Sequence, residues 1–219
     1  MLKFLPNIQG KEIVQVLCLG AHSDDIEIGC GGTVLKLLKA YPNISVTWVV
    51  FSGKGSRIDE AKASAESFLV EAKGKQIFVK DFRDGFFPYT GADIKEYFET
   101  LKSLVEPDLI FTHFRDDRHQ DHRVISDLTW NTYRDHFILE YEVPKYDGDL
   151  GAPNFFMHLD REVCQQKVQL LLKHFGTQAN KHWFTEETFL ANLRLRGIES
   201  RAPENYAEAF YGRKLIWHE

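Results

Sequence analysis

Cysteine is scarce in this chain: Cys18, Cys30 and Cys164 are the only three among 219 residues. An odd count without zinc-finger spacing excludes a disulfide-stapled scaffold and predicts buried, unpaired thiols in a reducing compartment. Long apolar runs are missing too. The longest lies near "ISVTWVVF", far short of the roughly 20 residues a membrane-spanning helix needs. The N-terminus, "MLKFLPNIQGKEI", has neither the continuous apolar stretch of a secretory signal nor the arginines of a transit peptide. A cytoplasmic protein with no membrane span is expected. No cluster of Lys and Arg forms a stripe able to track phosphates, and the formal charge is −5, so nucleic acid is not an expected partner. A homo-oligomer is compatible with all of this.

What remains is an ordinary globular composition, 43% hydrophobic and 27% charged, at a length that suits a single domain over residues 1–219 with a sizeable core. Strand-like runs at 12–20, 44–52, 76–82 and 107–114 alternate with helical patterns at 31–40, 57–73, 93–105 and 121–135. That alternation predicts βαβ units, hence an α/β fold with a Rossmann-like, largely parallel sheet and helices on both faces. Beyond residue 136 the pattern changes to a small C-terminal α+β extension. It comprises a strand, a Pro/Gly/Asp loop, a short extended piece, a helix capped by Asp160 and closed by Gly176, and a last helix near 185–196.

In an open parallel sheet, ligands collect at the carboxyl ends of the strands. Two charged loops are expected there, "GAHSDDIEIGCGG" (20–32) and "HFRDDRHQDHRVI" (113–125). Gly29, Gly31 and Gly32 lack the G-x-G-x-x-G spacing, and the acids beside them would repel a pyrophosphate; they read as turn and close-packing glycines. The loops bring His22, Asp24, Asp25, Glu27, His119, Asp121 and His122 toward one place. Histidine mixed with carboxylate suits a divalent metal, and three protein ligands with an open fourth position would make a catalytic zinc site. His113 is the weaker member of the cluster, because it closes a strand and has a structural reading. His136, His158, His174, His182 and His218 have no carboxylate pattern around them and read as background.

"AHSDDIEIG" paired with "RHQDHR" resembles the A-H-[PAS]-D-D and H-x-D-H motifs of the PIG-L/LmbE family of metal-dependent N-deacetylases. "SRIDEAKASAESF" is similar to the family's R-x-x-E-A helix, and "YAEAF" to a motif near its end. The resemblance implies a zinc-dependent hydrolase that removes acetyl from an N-acetylated amino sugar, a conjugate of the N-acetylglucosamine type, with Fe(II) as an alternative metal. Carried over by motif position, it implies that His22, Asp25 and His122 hold the ion. Asp24 is then the general base and His119 the acid or oxyanion partner. Asp121, between two histidines, is expected to orient one of them, and Arg57 to bind substrate or else form a surface pair with Glu60 or Glu66. Asp24 also has a plain alternative, capping the following turn.

Two other classes remain open at this stage. One is a non-haem iron oxygenase with a two-histidine, one-carboxylate triad, generally an all-β protein. The other is a non-catalytic metal-binding module, which would need neither Asp24 nor His119. Ser23 and Gln120 stand where family members often have proline, so both loops lose a stiffening residue. A substrate-specific wall is expected from 141–158, with Tyr141, Tyr146, Phe155 and Phe156, and from 194–204. There Arg194, Arg196 and Arg201 either meet a phosphate or sugar acid or form a solvated helix end.

Overall fold

The computed structural model describes residues 7–8, 11–12 and 15–215; His218 lies outside them. Asn7–Ile8 (β1) and Lys11–Glu12 (β2) form an antiparallel pair. The main chain then runs through Gln15–Gly20 (β3), Asp25–Ala40 (α1), Ser45–Val50 (β4), Ser56–Phe68 (α2), Gly74–Val79 (β5), Gly91–Leu104 (α3), Leu109–His113 (β6) and Gln120–Thr132 (α4). Phe137–Tyr141 (β7), Phe155–Leu159 (β8), Arg161–His174 (α5), Glu186–Glu199 (α6) and Tyr206–Gly212 (β9) complete it.

A seven-stranded sheet has the order β5-β4-β3-β6-β7-β9-β8. The first five positions pair in parallel, and β9 and β8 are added antiparallel. The C-terminal α+β part therefore extends the same sheet. Strands β3, β4 and β6 are buried along almost their whole length, which is why they read as continuous apolar runs rather than alternating ones. Side chains of α1, α2, α5 and α6 pack on one face, including Val34, Phe68, Leu171 and Phe189. Those of α3 and α4, such as Phe98 and Ile125, pack on the other. From β3 the chain first moves outward to β4 and β5, then returns to β6 on the opposite side of β3. The carboxyl ends of β3 and β6 thus flank the switch point, where an open α/β sheet has its crevice.

α1 starts at Asp25, well before the expected 31, so the three glycines lie inside the helix. Glycine in a helix interior costs roughly 0.5–1 kcal/mol against alanine, but here it lets α1 approach the sheet. A Cβ at Gly29 would stand 2.1 Å from the Tyr141 ring. Deeper in the helix, the Glu208 carboxylate accepts the N–H groups of Gly32 (2.8 Å) and Thr33 (2.6 Å). Lys167 donates to Glu208 (2.6 Å) and to the carbonyl of Ile28 (2.7 Å). The glutamate of "YAEAF" is thus a buried strut for α1. Asp160 takes the N-cap position of α5 without a side-chain capping bond. All three cysteines are free and buried. No helix among the described residues is long and apolar enough to cross a membrane.

Candidate metal centre

His22 follows β3, Asp25 is the first residue of α1, and His122 lies in the first turn of α4. Their nearest polar atoms form a triangle. His22 Nδ1 is 3.2 Å from His122 Nε2 and 3.3 Å from Asp25 Oδ2, and His122 Nε2 is 3.5 Å from Asp25 Oδ2. Ligand atoms held tetrahedrally at about 2.0–2.2 Å from an ion lie roughly 3.3–3.6 Å apart. The triangle and its imidazole–carboxylate donors therefore fit a divalent ion. All three residues also line the cavity, which leaves a position open toward it.

Each imidazole is held from behind. His122 Nδ1 meets Asp117 Oδ2 at 2.9 Å, and burial, reinforced by nearby His113, pushes the His122 pKa down to about 3. The ring is thus neutral, with Nε2 directed at the centre, the usual carboxylate–histidine–metal arrangement. Burial disfavours the charge on Asp117, but the His122 hydrogen bond and the nearby Lys145 ammonium hold its carboxyl far below the ordinary range. His22 Nε2 lies 3.3 Å from Asp121 Oδ2 and 3.2 Å from Asp84 Oδ1. Burial would lower the His22 pKa, yet the Asp25 charge and the carboxylates around the ring raise it well above normal. Asp121 is itself fixed by the N–H groups of Gly85 (2.6 Å) and Phe87 (3.1 Å). Its carboxylate therefore orients His22 from the opposite loop, not one of the histidines beside it in sequence.

His113 is fully buried, its ring 3.9 Å from that of His122. Its Nε2 lies 3.3 Å from Asp25 Oδ2 but already accepts the Ala21 N–H at 2.9 Å. The structural reading of this residue fits that geometry.

Asp24 occupies the N-cap position of α1, yet its side chain makes no capping bond. It is buried, with Arg57 Nη2 3.7 Å away. Burial and the Asp25 charge push its pKa up to about 6, against Arg57 and His22. His119 takes the N-cap position of α4, where Nδ1 accepts the Asp121 N–H at 3.3 Å. Burial and the neighbouring His22 lower its pKa, which favours the neutral ring and, of the two roles the motif implies, the oxyanion partner over the protonated acid.

Arg57 pairs with Asp24 and with Asp84, the latter at 3.4 Å. It does not meet the partners expected of a surface pair: Glu60 accepts the backbone N–H (2.9 Å) and hydroxyl (2.6 Å) of Thr177, and Glu66 pairs with Lys75. The His22 hydrogen bond lowers the Asp84 pKa to about 2, with help from Arg57 and against partial burial. Gln120, where proline is usual, donates to the Gly85 carbonyl at 3.3 Å, so a hydrogen bond ties this loop to the one carrying Asp84. Glu27 is the expected member that stays out. It is fully buried, and burial raises its pKa far above normal.

The side chains surround a cavity of about 300 Å³. Its outer wall is Val143 to Asp147 together with Gln178, Lys181 and Trp183. Tyr146 is in this wall as expected. Tyr141 is instead buried and donates to the Leu19 carbonyl at 2.6 Å, while Phe155 and Phe156 lie in β8, outside the lining. Arg196 is buried, with Nε and Nη2 on Glu142 (3.0 and 2.8 Å) and Nη1 on Glu199 (2.7 Å); it braces the fold. Arg194 and Arg201 are exposed and outside the lining. Sequence reasoning missed Asp84, Asp117 and the 178–183 wall. The available signals were an Asp-Gly turn after the third strand, the second acid of "RDDRH", and a tryptophan in "GTQANKHWF".

An open α/β sheet with two histidines and an aspartate in ligand geometry at its switch point, and a second aspartate tuned toward neutral pH beside them, defines an α/β protein with a candidate metal centre. The chain belongs to the PIG-L family: the model of GlcNAc-PI de-N-acetylase matches residues 17–133, which hold both motif loops. It is 29% identical to the diacetylchitobiose deacetylase of Thermococcus kodakarensis over 223 residues, covering 89% of this chain and 81% of that protein. In fold it is similar to the conserved protein TT1542 of Thermus thermophilus, with TM-score 0.72 and 18% identity over 94% and 98% of the two chains. It is also similar to GalB, the 4-carboxy-2-hydroxymuconate hydratase of Pseudomonas putida KT2440, with TM-score 0.69 and 17% identity over 94% and 99%.

Proposed function

We propose that the chain, as one domain, is a metal-dependent deacetylase acting on an N-acetylated amino sugar conjugate. The observation that carries this reading is the His22–Asp25–His122 triangle with Asp24, at a pKa of about 6, alongside it. Membership of the PIG-L family and the likeness to a diacetylchitobiose deacetylase support the reaction class and the sugar. His22, Asp25 and His122 hold the ion, with zinc the first choice and Fe(II) compatible with the same donors. Such an ion polarises an amide carbonyl and lowers the pKa of water from 15.7 toward about 7.

The residues do the rest. Asp24, ionised near neutrality, takes the proton of the attacking water. His119, which lines the cavity with Nδ1 on the Asp121 N–H, donates to the carbonyl oxygen as negative charge develops. Asp24 then returns its proton to the leaving amine. Asp121 and Asp117 keep the two imidazoles oriented, and Arg57 with Asp84 forms a charged pair at the substrate end of the cavity. A facial-triad oxygenase fits poorly on a mostly parallel α/β sheet, and a non-catalytic module would need neither Asp24 nor His119.

The test is acetate and amine release from a panel of N-acetylated sugars, sugar nucleotides and glycosides by zinc-loaded and chelator-treated protein. Metal-dependent release from amino sugars is expected. Release from acetylated peptides or polyamines alone would remove the sugar. Hydration of an unsaturated carboxylic acid with no acetate release would overturn the deacetylase reading.

A further inference from the structure

The cavity wall from Val143 to Asp147 follows β7 and belongs to no helix or strand. Side chains must hold it in place. The ends of the loop are joined by Glu142, which accepts the Gly151 N–H (3.1 Å), the Tyr211 hydroxyl (2.8 Å) and the Arg196 fork. The middle is held by Lys145, whose side chain is 11% exposed. Its Nζ lies 2.8 Å from Asp117 Oδ2, 2.6 Å from Asp149 Oδ2 and 3.3 Å from the Val143 carbonyl.

An ammonium has three N–H donors and no acceptor. Two of those contacts, to Asp117 and to the Val143 carbonyl, are hydrogen bonds and the third, to Asp149, is a close ion pair, so Lys145 lines the cavity with its charge engaged by the protein. The Asp117 oxygen it touches also faces His122 Nδ1, at 2.9 Å. Asp149 in turn accepts the N–H of Arg118, the residue after Asp117, at 2.7 Å. A continuous set of charge-assisted contacts thus runs from a ligand of the candidate metal centre to the loop facing the substrate.

We propose that Lys145 is a positioning residue that joins the loop 142–151 to His122, so that metal affinity and substrate affinity depend on it together. This rests on the reading of the centre as a deacetylase metal site with His122 as ligand. Exposed lysine–aspartate pairs contribute little, but this one is nearly buried, and removing one member of a buried pair leaves the other charge uncompensated. In Lys145→Met the carboxylates of Asp117 and Asp149 repel each other. Asp117 is then free to turn from His122, and the loop loses its central anchor.

The experiment compares Lys145→Met, Lys145→Arg and Asp149→Asn with wild type. Zinc Kd is measured by chelator competition, and KM and kcat on whichever N-acetylated sugar wild type turns over. Lys145→Met should weaken zinc about 10-fold, the lower end of what orienting partners of a ligand cost. The same variant should raise KM, while kcat at saturating zinc and substrate changes by less than about 3-fold. Lys145→Arg should shift both quantities partway. Asp149→Asn keeps the Lys145–Asp117 contact and should raise KM with zinc affinity unchanged. Wild-type zinc affinity or wild-type KM in folded Lys145→Met overturns the proposal, as does a lowered melting temperature with both values intact. If Lys145→Met does not fold, Lys145→Arg decides: a shift in only one of the two quantities, or in neither, is fatal. A wild type that neither binds zinc nor releases acetate overturns the underlying deacetylase reading and the proposal with it.

Discussion

Asp24 is 5% exposed beside a second buried aspartate, and its ionised form is the one that accepts a proton. Its pKa is about 6 in the fold, against 3.8 for an unperturbed aspartate, chiefly because of burial and then the Asp25 charge. Between those values the folded chain keeps a proton that the unfolded chain has released. Stability therefore falls as pH rises through this window and stays lower above it. The gap is worth about 3 kcal/mol at 1.36 kcal/mol per pH unit. Asparagine has nearly the same shape, no charge, and no capping bond to lose, since the aspartate makes none. Metal-free Asp24→Asn should accordingly be more stable than wild type at pH 7.5 by up to about 3 kcal/mol, with the difference vanishing near pH 4.

Turnover should move the other way. Loss of a positioned base costs about 10²–10⁴ in kcat, or about 2.7–5.4 kcal/mol of barrier. A cation bound nearby favours the carboxylate, so the ascending limb of the wild-type pH profile should lie at or below about pH 6. The assays are urea unfolding of chelator-treated protein at pH 4, 6 and 7.5, and kcat at full metal occupancy. Near-wild-type turnover by the zinc-loaded variant would remove Asp24 as the base. A stability difference that ignores pH would show that burial does not set its pKa.

Other substitutions test the ligand set and the framework. His22→Ala and His122→Ala should each abolish the binding of about one divalent ion per chain, read by elemental analysis; full occupancy in either would take that residue out of the set. Gly29→Ala places a Cβ 2.1 Å from the Tyr141 ring, and overpacking of this kind costs about 1–3 kcal/mol or more; unchanged unfolding free energy would mean that Tyr141 yields freely. Glu208→Gln leaves Lys167, 2% exposed, without its counter-charge, at a cost of about 3–5 kcal/mol in urea unfolding. A loss under about 1 kcal/mol, the scale of an exposed pair, would deny the strut its role.

The parallel sheet is legible in the sequence because β3, β4 and β6 are buried on both faces, and burial of that kind writes itself locally as an apolar run. The start of α1 is not. Glycines and charges at 20–32 describe a loop by local propensity, but the segment is helical from Asp25 and packs where Gly29 clears Tyr141 and Glu208 bonds it from the far end of the chain. Those partners are more than a hundred residues away, and no window along the chain contains them. The strut is hidden in the same way: Lys167 and Glu208 are 41 residues apart, and nothing in the local sequence pairs them until the fold places both inside.

That the two charged loops meet was readable for a different reason. Each follows a strand, and the βα rule puts both at one edge of the sheet, while the choice of His22, Asp25 and His122 within them rests on the family resemblance. The groups that tune the triangle lack that regularity. Asp117 and Asp121 are four residues apart, yet they face different histidines, because Asp117 lies in the loop before α4 and Asp121 in its first turn. Arg196 shows the limit most plainly. In sequence it is one of several arginines at a helix end, and a phosphate-binding role is reasonable. In the fold its guanidinium is satisfied by Glu142, Glu199 and the Gly151 carbonyl, so its charge fixes the ends of the cavity-lining loop and is not free for a ligand. A charged residue in a sequence announces that a partner exists; whether the partner is substrate or protein depends on burial, and burial is decided by the whole chain.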